Sequence, residues 1–423
     1  MIKKIHLWNL PEDFVYLDLE KNLKEELFSS AKKYAGTWIN LGKALELKIS
    51  EKGKCKALEC VRDGKKFKLK ILNKLVNFLN RYGEIDKNEI ERNVLVLATK
   101  CRGKSKNKLA NCIINPKLPF EFNNIDTATI ISALLCDGGI DSHFHPHYRN
   151  EEVILRKKAY DAFVEVFGEF DGQCNDFLKK EQIYFPKVVG IILVKVLGLG
   201  YGRKTEYNPS IPSFIINSPK EMQSAFLQQA FDDEGSVHFN KRAIQFKLAN
   251  FLPEKINLKE IENPNLKYNL EFAPNLIKDV IFLLRKFNIK TTKLRCCEIY
   301  QIKTGRFGTK WQFEICKRED LSKFRENIGF FLPRKMNKVN KILDLPFQPQ
   351  YPRDNSEDII YRACIRLQNK QGHITSKSLA NEINRTQHRT KQVIRKLVKK
   401  GLLVVKSSKK GSNGAVYIIS KAN

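Results

Sequence analysis

LQQAFDDEG, residues 227–235, decides how this chain is read, and a weaker copy, IISALLCDG, stands at residues 130–138. Each is a short apolar run ending in an acid-glycine pair, Glu234-Gly235 and Asp137-Gly138, and the two lie one small domain apart. The second run has a helix start before it. Ser218 is placed to cap, Pro219 suits the first helical position, and Glu221 can close a capping box. From Pro219 to Asp233 the chain has length for about 22 Å of helix. Asp126 is the expected cap of the first copy, where small Ser132 and Ala133 let two helix backbones approach closely.

Asp137 and Glu234 then sit at helix C-termini. That is a poor place for a carboxylate, because the helix end is itself partly negative and the two acids repel if the helices pack together. A divalent cation relieves both penalties. Magnesium takes few carboxylates and completes its shell with water and phosphate oxygens, so the pattern points to metal-assisted phosphodiester chemistry.

The two stretches, with the flank Ser210-Ile211-Pro212-Ser213-Phe214-Ile215, resemble the paired motifs of the LAGLIDADG homing endonuclease family in its single-chain form. The resemblance covers about half the chain. It implies an α+β fold: two pseudo-symmetric αββαββα halves whose motif helices form the interface and whose sheets lie along the DNA major groove. It further implies Asp137 and Glu234 as catalytic metal ligands, with the backbone of Gly138 and Gly235 beside them and two or more Mg2+ ions. Lys187 and Lys335, each at a Pro-containing helix start, are the candidate catalytic lysines, with Lys247 as competitor. Gln229 departs from the family, which keeps a small residue there; a bulky amide needs a partner.

Composition agrees with a polyanionic partner. The 423 residues carry a net charge of +30, and no long apolar run suggests a membrane. The N-terminus lacks the apolar core of a signal peptide, and ten cysteines without CxxC pairs read as reduced thiols. Both point to an intracellular, cytoplasmic and nucleoid-associated protein. The chain neither starts with Cys or Ser nor ends in His-Asn, so self-splicing intein ends are not expected.

Five segments are expected. Residues 1–124 read as an N-terminal helical domain of helix-turn-helix type, with Trp38, Leu41 and Leu45 inside, Lys52, Lys54 and Lys56 toward phosphate, and a basic loop at 100–108. The first half spans 125–217, with His143, His145 and His147 on one strand face, and the second spans 218–345, with an insertion within 251–272. In its sheet Arg295, Gln301, Lys303, Lys310, Gln312 and Gln245 are expected to face DNA. A proline-rich linker covers 346–355. Residues 356–423 resemble a winged helix-turn-helix and hold +12 of the +30. Its third helix would present Gln387, Arg389 and Lys391 to the major groove, and its wing Lys409 and Lys410 to phosphates.

The function so implied is a monomeric, magnesium-dependent, site-specific double-stranded DNA endonuclease. The rivals on the same fold are an inactive DNA-binding transcriptional regulator and an RNA maturase acting on structured intron RNA. Steep salt dependence of nucleic-acid binding is expected for all three.

Overall fold

In a computed structural model the structure describes residues 4–51, 53–62, 64–83, 85–100, 112–171, 179–252, 269–302, 305–345, 356–407 and 415–420. It is mixed α+β, with several small antiparallel sheets. Lys52, Lys303, Lys409 and Lys410, most of the 100–108 loop, most of the 251–272 insertion and the 346–355 linker lie outside the described residues.

The N-terminal segment is not the helical domain expected. Its centre is a five-stranded antiparallel sheet in the order Phe67–Lys68, Tyr16–Leu19, Val94–Ala98, Cys112–Ile114, Glu169–Phe170. Two of these strands have only two residues, too short for an alternating pattern to show. Helix Leu69–Leu79 covers the sheet with Leu69, Leu72, Leu75, Val76 and Leu79 all buried, as an apolar stripe of helical period requires. Leu41 and Leu45 are buried as well, and Trp38 packs against the core.

Two helices lie against each other in the middle of the molecule, Ile125–Leu135 and Lys220–Glu234. Ser132, fully buried, donates its hydroxyl to the Phe226 carbonyl at 2.8 Å, a contact that only a short side chain permits between close backbones. The caps differ from expectation. Asn124, not Asp126, accepts from the Thr127 amide at 2.8 Å, and Ser218 instead donates to the Ile215 carbonyl.

Both helices turn directly into strands, Gly138–Ile140 and Gly235–His238. A β-carbon on Gly138 would lie 2.5 Å from the His147 carbonyl oxygen, and one on Gly235 would lie 2.5 Å from that of Phe231. Gly235 has extended φ and ψ, so lack of space, not a left-handed cap, demands glycine there.

The halves that follow are unequal. After Lys220–Glu234 comes a four-stranded sheet in the order Gly235–His238, Ala243–Phe251, Phe307–Ile315, Arg295–Gln301. Phe231, Phe246, Phe313 and fully buried Trp311 fill its inner side. After Ile125–Leu135 the sheet has three strands, Gln182–Tyr184, Pro146–Arg149 and Gly138–Ile140. The strand Glu169–Phe170 leaves to extend the N-terminal sheet. The segment with the three histidines is broken by a turn at Asp141, whose carboxylate accepts from the His143 and His145 amides, so the histidines share no strand face.

Residues 356–420 form three helices, Ser356–Gln371, Ser376–Glu382 and Gln387–Lys399, with a three-stranded sheet. They bury their own core around Cys364, Leu379, Ile394 and Leu397. Among the described residues no helix is long and apolar enough to cross a membrane.

Candidate functional site

The ends of the two central helices meet at a cleft of about 410 Å³. Asp137 arrives from the first helix and Asp233 from the second. Asn150 joins them, its Nδ2 donating to Asp137 at 2.7 Å and approaching Asp233 at 3.4 Å. Tyr148, on the strand beside Gly138, donates its hydroxyl to Asp233 at 2.6 Å. Gln229, completely buried, donates to the same Asp233 oxygen and to the Tyr148 hydroxyl, each at 3.1 Å. The partner that a buried amide at 229 requires is therefore Asp233. The other oxygen of Asp233 and the carbonyl oxygen of Gln229 have no hydrogen-bond partner.

Six acids and three basic residues line this cleft, an acidic spot on a strongly basic chain. Glu152 pairs with Arg334 at 2.6 Å and Glu181 with Arg149 at 3.2 Å; of the other four acids, Glu151 is exposed, Asp232 is held by backbone amides, and Asp137 and Asp233 meet at Asn150. Asp233 and Glu234 are both half-buried, but Asp233, one residue earlier, lines the cleft and Glu234 does not, so Asp233 takes the place that the sequence suggested for Glu234.

Electrostatics follows from this crowding. Burial, then Asp137 nearby, pushes the Glu234 carboxyl up to about 7. Burial also raises Asp137, and burial together with Asp137 raises Asp233 well above the ordinary range. Desolvation disfavours the charged form, and like charges at short range add to it.

Two lysines offset the negative helix ends. Lys335 Nζ donates to the carbonyls of Phe231 at 3.1 Å, Asp232 at 2.5 Å and Gly235 at 2.6 Å. Lys204 Nζ donates to the carbonyls of Leu135, at 3.1 Å, and Cys136. Each ammonium sits where a helix leaves its last carbonyls unpaired. The counterpart of Lys335 is thus Lys204, not Lys187. Lys187 opens helix Lys187–Lys195 outside the cleft, its ammonium 5.8 Å from the Phe144 ring. Lys247 is exposed on a strand, opposite Gln312. The Gly235 carbonyl is occupied by Lys335, and Gly138 pairs in the sheet opposite Tyr148.

Asp232 has a structural task. Its carboxylate accepts from the Phe331 amide at 2.8 Å and the Leu332 amide at 3.1 Å, at the start of helix Pro333–Asp344. We expect Asp232→Ala to cost about 2–3 kcal/mol, two charge-assisted hydrogen bonds at a helix N-terminus. Urea unfolding reads this, and an unchanged midpoint would mean water replaces the carboxylate without loss.

The expected nucleic-acid face is only partly available. Gln245 and Gln312 are buried because they satisfy each other at 3.1 Å, with Glu314 and His238 completing the network. Lys310 is held by Glu298 at 2.9 Å and leans on the Tyr300 ring. Arg295 and Gln301 are exposed, Gln301 donating to the Gly305 carbonyl. At the start of helix Gln387–Lys399, Gln387 donates to Ser376, Arg389 is exposed beside Gln392, and Lys391 is half-buried.

Comparison with known proteins adds relatives of a different kind. The chain is 29% identical over 176 residues to the tRNA-splicing ligase RtcB of Methanopyrus kandleri and 29% identical over 140 residues to that of Pyrococcus abyssi. It is 26% identical over 157 residues to a probable translation initiation factor IF-2 of Methanocaldococcus jannaschii. These matches cover 42%, 33% and 36% of this chain, but only 16%, 13% and 11% of the respective relatives. No family model matches the chain.

These relatives overturn the resemblance drawn from the two motif stretches. The RtcB proteins are named RNA ligases, not LAGLIDADG homing endonucleases. The reading as a magnesium-dependent, site-specific double-stranded DNA endonuclease is withdrawn with it, as are the regulator and intron-maturase alternatives.

Proposed function

We propose that this chain is an RNA-binding module of an RNA-processing enzyme, with phosphodiester chemistry at the Asp137–Asp233–Glu234 carboxylates. The observation that carries the proposal is Asn150, which draws an acid from each central helix to one cleft of an otherwise basic protein. The RtcB relatives, named for joining tRNA, favour RNA as the partner.

The residues fit a divalent cation in one respect: a buried Asp233 oxygen without a hydrogen-bond partner beside a second carboxylate. Among the described residues no group of three or more His, Cys, Asp or Glu is arranged to hold a metal. Magnesium is satisfied by one or two carboxylates, which is what the cleft offers. Asp137 and Asp233 would hold it, with Glu234 beside them, and bound there it would offset the charge of a phosphodiester. Asn150 fixes the Asp137 carboxylate, Tyr148 and Gln229 fix Asp233, and Lys204 and Lys335 anchor both helix ends.

A second reading rests on the IF-2 match. The chain matches only 16% of the ligase and 11% of the initiation factor, so most of each relative lies outside the likeness. In that reading the chain is a transferable nucleic-acid module that occurs within larger proteins.

End-labelled RNA, intact and nicked, incubated with the full chain in magnesium or in chelator, separates these readings on denaturing gels. We expect magnesium-dependent cleavage, or joining where the nick presents a 2′,3′-cyclic phosphate whose ring opens onto a 5′-hydroxyl, reduced at least about 100-fold in Asp233→Asn and Asp137→Asn with RNA affinity unchanged. RNA bound tightly but left unaltered would favour the transferable module. No affinity for RNA would refute both.

A further inference from the structure

The N-terminal sheet carries a second cleft, of about 540 Å³, away from the carboxylates. Lys48 and Lys54 reach it from the connection between helices Trp38–Ala44 and Lys56–Arg62. Lys56 comes from the start of the latter, and Lys66 and Lys68 from the edge strand Phe67–Lys68 and the residue before it. Among the described residues no carboxylate lines the cleft. None of these five lysines forms an ion pair with another described residue, although elsewhere on this domain Lys70 pairs with Asp13, Lys74 with Glu46 and Lys24 with Asp18.

Five ammonium groups gathered with no counter-charge among the described residues repel one another, and an anion in their midst removes that cost. Between them the floor is apolar and partly aromatic: Leu47, Ala57, Ile71 and the Tyr16 ring, with buried Phe67 alongside. A volume in this range holds a small ligand. An inorganic anion alone would leave the apolar floor unused, and a lipid or apolar peptide would leave the lysines unused. A nucleoside phosphate uses both, with phosphates on the lysines and the base against the floor and Tyr16.

We propose that this cleft binds a nucleoside phosphate, either as a free nucleotide or as one nucleotide of a single strand. The proposal does not rest on the carboxylate centre. It also replaces the helix-turn-helix reading of this region: Lys54 and Lys56 face phosphate, but around a concave pocket and not along a duplex groove.

The test uses the full chain with two probes: uridine 5′-monophosphate by titration calorimetry, and a fluorescein-labelled uridine pentamer by anisotropy. The cleft variant is Lys48→Glu/Lys54→Glu/Lys66→Glu. The control is Lys220→Glu/Lys338→Glu/Lys341→Glu, with the same change in net charge at three exposed positions elsewhere. We expect the cleft variant to lose at least about tenfold in affinity for one or both probes, while the control loses less than about threefold. Loss for both probes marks a free-nucleotide site, and loss for the pentamer alone marks a single-strand site; either supports the proposal. Equal weakening in the control, unchanged binding in the cleft variant, or no binding of either probe below about 1 mM overturns it. Should the triple variant not fold, Lys54→Gln/Lys66→Gln is read in the same way.

Discussion

Lys335→Met should lower unfolding stability by about 3–5 kcal/mol, the largest single-residue effect we expect in the chain. Methionine keeps most of the apolar stem, so the loss isolates the ammonium group. Three carbonyl oxygens lose their donor at once, those of Phe231, Asp232 and Gly235. Lys335 is only 7% exposed, so water does not readily take its place. Removing it also deprives Asp232, Asp233 and Asp137 of a nearby positive charge. Burial pulls the Lys335 pKa down, yet these acids act in the opposite sense.

Urea unfolding at neutral pH reads the loss, and two companion variants establish its origin. Lys204→Met should cost less, about 1–2 kcal/mol, because Lys204 is half-exposed and serves two carbonyls. The double variant Lys335→Met/Asp233→Asn should lose less than the sum of its parts, because neutralising Asp233 removes charge that Lys335 had offset. Strict additivity would show that the lysine only caps the helix and does not hold the acids together.

What was legible in the sequence, and what was not, divides by distance along the chain. The stretches at 130–138 and 227–235 announced helices that end in acids, because helical period and terminal glycine are local signals. The stripe from Leu69 to Leu79 was legible for the same reason. Asn150, Tyr148 and Lys204 were not. Asn150 stands 13 residues from Asp137, and Tyr148 stands 85 residues from the Asp233 it bonds. Lys204 opens a four-residue helix that carries no periodicity. Lys187 and Lys335 share only a proline at a helix start, a local pattern that the fold places on different surfaces. Asp233 was the nearer miss: three consecutive acids at 232–234 closing an apolar helix already called for separate roles. The structure gives them a helix cap, a cleft carboxylate and a half-buried neighbour. Alternation likewise put Gln245 and Gln312 on a common face, but could not show that each amide is the other's partner.

The carboxylate centre's contribution to the stability of the metal-free protein should fall as pH rises from about 5 to about 8, while His145 and His147, which burial holds below the ordinary imidazole range, contribute in the opposite sense. Glu234 has its carboxyl raised from 4.5 to about 7 in the folded chain, and Asp137, Asp232 and Asp233 are shifted in the same direction. A carboxyl with a raised folded pKa keeps its proton longer in the native state than in the unfolded state. Its contribution is then fully favourable below the unfolded value, near 4.5 for Glu234, and is lost as pH climbs through the folded one. For Glu234 alone the loss amounts to roughly 2–3 kcal/mol once partial exposure is allowed for. Urea midpoints measured in chelator at half-unit pH intervals test this, and Glu234→Gln should flatten much of the slope. Millimolar magnesium provides the second arm. A cation that binds only the ionised carboxylates should recover stability at pH 8 and leave pH 5 unchanged, because at pH 5 protons already hold the position. Recovery in the wild type but not in Asp137→Asn would locate the ion between the helix ends. Equal recovery in both would assign it to the general surface, and the carboxylate cleft would then lose its claim to phosphodiester chemistry.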